Sequence, residues 1–475
     1  MQAFVDELMR SGLEVNTLLM RQDGKETVRY SREPYVVDGP HLLFSLSKSV
    51  TSIAIGIARD AGLLSLDDSV ISFFPDRLPA YVSPNLTAMT IHHLLCMNTG
   101  HADNVYSVVA SEKDWIAAFL AQPVPLRPGS RFLYNTHATY MLAAILERVT
   151  GEGLVSYLRP RLFEPLGIEG VSWESCPMGV TAGGMGLSLT TEEMAAFGQM
   201  LLDRGMYRGR RIVSEAYLNV AISEQSDNRE GARRPDWMQG YGYQFHLCRH
   251  GCYRGDGAFG QLILVAPKER IVVAATSSFG SMGDLQVLLE LIYKHVMNGG
   301  GGDGDGDSHA HSSVTRATSE WRQLRDNRDS RIEAPNVHYT SLYPFKLMDA
   351  RQQVCYKLAA NPQGIQQLLF SIEQGRPTLR FQFDDHGDHA VSLDSEGLVV
   401  STAKFHKDLS FVEQEVVSYA TWSSHRRLEL ELVYRETPYR AIYIVEFQAE
   451  EIKVSYQINV SFHLKDYECM GMRAR

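Results

Sequence analysis

The sequence predicts two regions of different fold class, a mixed α+β region followed by a mostly antiparallel all-β region. Two observations predict it. Before residue 298, helical stretches such as TYMLAAILERVTGEGLVSYL and TTEEMAAFGQMLLDRG alternate with short strand-like runs such as RIVVAATSS. After residue 314, apolar residues recur with period two: Leu379, Phe381 and Phe383; Leu428, Leu430 and Leu432; Ile452, Val454, Tyr456, Ile458 and Val460. Side chains alternate between the faces of a strand, so this pattern describes a sheet with one buried and one wet face.

The stretch MNGGGGDGDGDSHAHSSV, 297–314, separates the two textures and has no apolar residue between Met297 and Ala310. That is the composition of a flexible linker, and it divides the chain into a domain at 1–297, a linker at 298–314 and a domain at 315–475. Asp303, Asp305 and Asp307 have the opening spacing of a calcium loop. Ser308 stands where that loop needs glycine and Val314 where it needs glutamate, so the linker reading is preferred. A length of 475 residues suits two or three cores, and no internal repeat is visible.

Charge narrows the range of partners. The 46 basic and 56 acidic residues leave a net charge of -10, and no run is rich in Lys or Arg, which argues against nucleic acid and against an anionic membrane surface. No apolar run approaches the roughly 20 residues of a membrane span. The N-terminus MQAFVDELMRSGLEV lacks the basic and apolar segments of a secretory signal. Cys96, Cys176, Cys248, Cys252, Cys355 and Cys469 are scattered, which suggests reduced thiols and a cytoplasmic location.

The chemistry starts in LLFSLSKSVTSIAIGIARDAGLLSLDDSV, 42–70, an apolar stretch that opens with Ser45, Ser47 and Lys48. Lysine is unusual at the mouth of a buried helix. Three residues apart at a helix start, Ser45 and Lys48 share one face, so the amine can reach the hydroxyl and remove its proton. An apolar surround with other cations or donors nearby disfavours the charged amine, as a lysine base requires. A serine at a helix N-terminus also aims free N–H groups at charge growing on an attacked carbonyl. A helix cap followed by a surface lysine would show the same spacing. Ser401 and Lys404 repeat that spacing in VVSTAKFH, where a strand would send the two side chains to opposite faces.

Five ordered blocks accompany the first motif: LFSLSKSVTSIAIGIARDAGLLSLDDSV, MTIHHLLCMNTGH, FLYNTHATYMLAAILERVTG, TAGGMGLSLTTEEMAAFGQMLLDRGMYRGRRI and GDGAFGQLILVAPKERIVVAATSS. With them the chain resembles, from about Leu18 to about Val296, the serine hydrolase family of class C β-lactamases, serine penicillin-binding proteins, D-amino-acid peptidases, related esterases and 6-aminohexanoate-dimer hydrolase. The resemblance implies a central antiparallel sheet flanked by helices, joined to a helical subdomain, with the site between them. It implies Ser45 as the acylated nucleophile, Lys48 as its partner base and Tyr134, in LYNT, as the proton shuttle to the leaving group. A phenol near an ammonium ionises more easily and can serve as base and then acid. On the residues alone, Tyr134 reads rather as a buried core tyrosine.

Two positions depart from the family. The β-lactamase pattern has asparagine two residues after the tyrosine; here Asn135 follows directly and Thr136 takes the next place, which leaves the polar ligand to a substrate amide open. Where the family has Lys-Thr-Gly or His-Thr-Gly, this chain has Gly255-Asp256-Gly257, so the cation that holds a substrate carboxylate is missing and an acid stands there. Penicillin-like substrates are therefore not expected, and an amine-bearing or neutral substrate would suit Asp256 if it faces the site. Alternatively Asp256 points away and bonds a neighbouring group. Ala258 falls where the family has its second oxyanion N–H, besides that of Ser45. Gly255 and Gly257 also suit a strand turn.

Two further constellations are weighed and set aside. His246, Cys248, His250 and Cys252 alternate as metal ligands on a strand would, but Arg249-His250-Gly251 reads as a hairpin turn that scatters them, and the family needs no metal. His92, His93, His101 and His137 are read as packing or hydrogen-bonding groups, since no Gly-x-Ser-x-Gly elbow is present for a histidine triad. The expectation is thus a cofactor-free serine hydrolase acting on a small-molecule ester or amide. Its rival is a scaffold without turnover that binds or regulates through the C-terminal sheet.

Overall fold

A computed structural model describes residues 1–297, 314–319, 341–348, 353–384, 387–393, 399–448 and 450–474. The chain divides into two compact units, Met1–Ser319 and Glu320–Arg475. The linker read at 298–314 lies, but for Val314, outside the described residues. Thr315–Ser319, assigned from sequence to the second domain, instead pairs in parallel with Lys25–Arg32 at the edge of the first unit's sheet. Five residues without apolar alternation carry no local sign of which sheet they join.

The first unit is built on a seven-stranded sheet. From edge to edge it runs Thr315–Ser319, Lys25–Arg32, Val15–Gln22, Ile271–Ser277, Gln261–Ala266, Tyr253–Gly257 and His246–Leu247. All pairs but the first are antiparallel. Its central strands are apolar on both faces because helices cover both. Leu18, Met20, Leu262, Leu264, Val273 and Ala275 pack with Phe4, Leu8, Leu285, Leu288 and Leu289 of the N-terminal helix Gln2–Arg10 and the late helix Met282–Ile292. On the other face lies Thr191–Leu202, the helix read from TTEEMAAFGQMLLDRG, started by a capping box between Thr190 and Glu193. At Gly198 a Cβ would stand 2.5 Å from Val272 Cγ1, so only glycine lets this helix come so close to the sheet.

A helical layer completes the unit. Ser47–Asp60 is buried on nearly every side from Ser47 to Ala58, which explains its all-round apolar composition. It packs beside Thr136–Thr150, which stops at Gly151 in the left-handed conformation (φ +70°). Among the described residues no helix is long and apolar enough to cross a membrane. The six cysteines are free thiols.

The second unit is a ten-stranded antiparallel sheet. From one edge, six strands from Val399–His406 to Tyr467–Arg473 lie neighbour to neighbour in chain order, followed by Gln353–Leu358, Ile365–Glu373, Arg376–Phe383 and Asp388–Ser392. The period-two residues Leu379, Phe381, Leu428, Leu430, Leu432, Ile452, Val454 and Tyr456 are all buried. Ser418 Oγ donates to the Ser392 carbonyl at 3.3 Å, bringing a strand near one end of the sheet against the other end, so the sheet curls almost into a barrel.

Candidate active site

Ser45 does not lie on the long helix itself. It sits in a 3₁₀ turn, Phe44–Leu46, that leads into Ser47–Asp60. The turn is tied by Ser47 Oγ donating to the Phe44 carbonyl at 2.6 Å. Phe44 has φ +48°, a costly conformation for a residue with a Cβ, and its ring packs edge to face on Phe259, itself at φ +60°. The strained pair flanks Ser45 on one segment and Ala258 on the other.

Lys48 is almost fully buried, at 1% exposure, while Ser45 is half-buried. Lys48 Nζ donates to Ser45 Oγ at 2.9 Å and to the Gly184 carbonyl at 2.6 Å, and it stands 5.0 Å from the centre of the Tyr134 ring. Residues 45, 48, 134 and 184 thus converge on one amine. The Gly184 carbonyl reaches it because the TAGGMG loop fits tightly on the two helices. A Cβ on Gly184 would be 2.6 Å from the Thr136 carbonyl oxygen, and one on Gly183 would be 2.8 Å from Ala143 Cβ. Thr51 Oγ1 donates to the Gly183 carbonyl at 2.8 Å and fixes the loop from the other side.

Tyr134 is half-buried. Burial and, after it, the Asp256 carboxylate hold its phenol above the ordinary range, with hydrogen bonding to Ser45 working the other way. The neutral phenol is therefore the resting form near pH 7.

The positions that depart from the family have structural employment. Asn135 is fully buried and caps the helix Thr136–Thr150, its Oδ1 accepting from the His137 N–H at 3.1 Å. The cap occupies only the amide oxygen, and among the described residues Asn135 Nδ2 is buried without a hydrogen-bond partner. On the strand Tyr253–Gly257, Gly255 and Gly257 let the sheet edge meet the turn that carries Ser45: a Cβ at 255 would be 2.5 Å from Ser49 Oγ, and one at 257 would be 2.1 Å from the Leu43 carbonyl oxygen. Asp256 alternates to the other face and accepts from Arg254 Nε at 2.8 Å. The strand does carry a cation, then, two residues before the acid, and the negative charge read from Gly255-Asp256-Gly257 is compensated.

Arg254 was not singled out from sequence. It is fully buried, donates through Nη1 to the Asp236 carbonyl at 2.6 Å and to Cys248 Sγ at 3.0 Å, and lies 4.2 Å over the Trp237 ring. The available signal was the i, i+2 spacing of Arg254 and Asp256 on a strand, which puts opposite charges on one face. His246, weighed from sequence only as a metal ligand, also stands beside Tyr134. Its ring stacks on Tyr134 (centroids 6.3 Å apart, planes 17°) and its Nε2 is 3.9 Å from Asp256 Oδ1. Burial lowers it to about 4, with Asp256 opposing and Arg254 and Lys48 reinforcing, so it is neutral.

The other constellations separate. The turn Arg249–Gly251, with His250 at φ +60°, parts the His246–Cys252 set, and among the described residues no group of three His, Cys, Asp or Glu is placed to hold a metal ion. His92 bonds the Tyr243 hydroxyl at 3.0 Å, His93 Nδ1 accepts from the Thr90 N–H at 3.0 Å and His101 bonds Thr99 Oγ1 at 2.8 Å. His137 is packed between Trp115 and Tyr106, and burial, then the Lys48 charge, lower it to about 3.

Comparison with known proteins adds to this geometry. The family model described as Beta-lactamase matches residues 1–296. The 6-aminohexanoate-dimer hydrolase of Paenarthrobacter ureafaciens is 24% identical over 286 residues, covering 56% of this chain and 72% of that protein. Lovastatin esterase of Penicillium rubens is 26% identical over 161 residues, covering 29% of this chain and 40% of that esterase. Among solved structures, EstCE1, a hydrolase with promiscuous acyltransferase activity, superposes with a TM-score of 0.51 at 17% identity, over 62% of this chain and 97% of that one.

Proposed function

Because this chain belongs to the β-lactamase family, we propose that it is a serine hydrolase that cleaves an ester or amide of a small molecule through an acyl-enzyme on Ser45. The observation that carries the reading is the 2.9 Å contact of Lys48 Nζ with Ser45 Oγ beside the Tyr134 ring. As Ser45 Oγ bonds to the substrate carbonyl carbon, its proton passes to Lys48 Nζ, which takes part in its unprotonated form. The carbonyl oxygen becomes an anion held by the backbone N–H groups of Ser45 and Ala258. Tyr134 gives its phenolic proton to the leaving oxygen or nitrogen as that bond to carbon breaks, and the Lys48 ammonium returns a proton to Tyr134. Water repeats the sequence on the acyl-enzyme and frees the acid and Ser45.

Esters and amides are favoured over β-lactams because the family's Lys-Thr-Gly or His-Thr-Gly is replaced by Gly255-Asp256-Gly257, whose charge is taken up internally by Arg254. The names of the relatives, a 6-aminohexanoate-dimer hydrolase and an esterase, agree with that choice. The experiment is labelling with a fluorophosphonate probe followed by peptide mapping. Modification at Ser45, lost in Ser45→Ala together with turnover of an activated ester, is expected. Labelling confined to another serine, or turnover kept by Ser45→Ala, would overturn the reading.

A further inference from the structure

Arg254 is the largest of the fully buried side chains, and a buried guanidinium costs several kcal/mol in solvation unless its charge is used. Its partner Asp256 is itself 8% exposed and lies within 3.9 Å of His246, whose ring stacks on Tyr134. We propose that Arg254 is a positioning residue: through its ion pair with Asp256 it keeps a compensated charge beside the Tyr134–His246 stack, and so sets the pH at which the Ser45–Lys48–Tyr134 group becomes active. The inference rests on the acyl-enzyme reading above.

The charged and titratable groups around this point are few and can be named. Tyr134 faces Lys48, Tyr241, His246 and Asp256. Asp256 faces Arg254, His246, Tyr134 and Tyr241. Behind Arg254 stand the Cys248 thiol and Asp236, whose carboxylate is occupied by Arg249, Gln286 and Tyr293. His137 lies within electrostatic reach of Lys48 and is neutral, like His246. The pair is thus the main adjustable charge near the phenol.

The sign follows from the step proposed for Lys48 and Tyr134. The active form has lost one proton from that pair, so kcat/KM rises with pH through its apparent pKa. A negative neighbour strengthens proton binding by either member and moves the rise to higher pH, whereas a positive neighbour moves it lower. In the native protein Arg254 offsets part of the Asp256 charge.

The test is the pH dependence of kcat/KM for an activated ester in four full-length proteins: native, Asp256→Asn, Arg254→Met and the double variant. Asp256→Asn leaves Arg254 uncompensated and is expected to move the acid limb down by about one pH unit. Arg254→Met is expected to move it up, and the double variant to place it between the two single variants. Asp256→Asn keeps the shape of the side chain and serves if Arg254→Met does not fold. An acid limb unmoved by Asp256→Asn, or moved upward by it, would overturn the proposal. Fluorophosphonate labelling in the same buffers separates the two levels: if labelling maps to Ser45 and Ser45→Ala is inactive while the limb stays put, only the role of Arg254 falls.

Discussion

The chain contains one spacing twice, Ser45/Lys48 and Ser401/Lys404, and the two copies have different fates. The first lies where a 3₁₀ turn becomes an α-helix, and three residues bring the side chains together at 2.9 Å. The second lies on the strand Val399–His406, where Ser401 shares a face with the buried Ala403 and Phe405 while Lys404 projects to the exposed face with Val400 and Thr402. An identical pair of residue types is a candidate nucleophile and base in one backbone and a strand surface in the other. Chemistry is thus conferred by the backbone period and by what converges from elsewhere, here the Tyr134 ring and the Gly184 carbonyl.

The largest expected contrast tests that difference directly. Ser45→Ala and Lys48→Ala should each lower turnover of an activated ester by a factor on the order of a thousand or more, with the double variant scarcely worse, because the two act as a unit. Additive losses measured by steady-state kinetics would mean that they do not.

A smaller effect probes convergence. Gly184→Ala puts a Cβ against the Thr136 carbonyl and displaces the acceptor of Lys48, so kcat/KM should fall about ten- to a hundredfold, with a loss of about 1–3 kcal/mol in urea unfolding. Unchanged kinetics in a folded Gly184→Ala variant would remove the carbonyl from the account.

Smaller still is a stability effect in the surroundings of Lys48. His137, held down to about 3, takes up protons in the unfolded chain from about pH 6.5 but not in the folded one. Its contribution to stability is therefore complete above that pH and is lost as pH falls toward 3. Thermal melts of His137→Phe should show a shallower drop in Tm between pH 7 and pH 4.5 than the native protein. An equal slope would mean that His137 is not kept neutral.

The least effect is expected at the second copy. Ser401→Ala and Lys404→Ala should leave ester turnover and Ser45 labelling unchanged and alter stability by no more than about 0.5 kcal/mol. A loss of activity in either would break the comparison at its root.

Much of this architecture is local and was readable from residue order. Period two in the second unit, the capped helix after Thr190, the turn at Arg249–Gly251 and the reach of Lys48 to Ser45 each depend on residues within a few positions of one another. Tertiary structure decided the rest, because it depends on which distant segments pack together. It set Thr315–Ser319 beside Lys25–Arg32, brought the Gly184 carbonyl to an amine 136 positions earlier in the chain, and used the Asn135 amide oxygen as a helix cap. It also turned Asp256 from an isolated acid into half of a buried ion pair, since the charge a site presents is fixed by every group packed against it and not by the tripeptide that holds it.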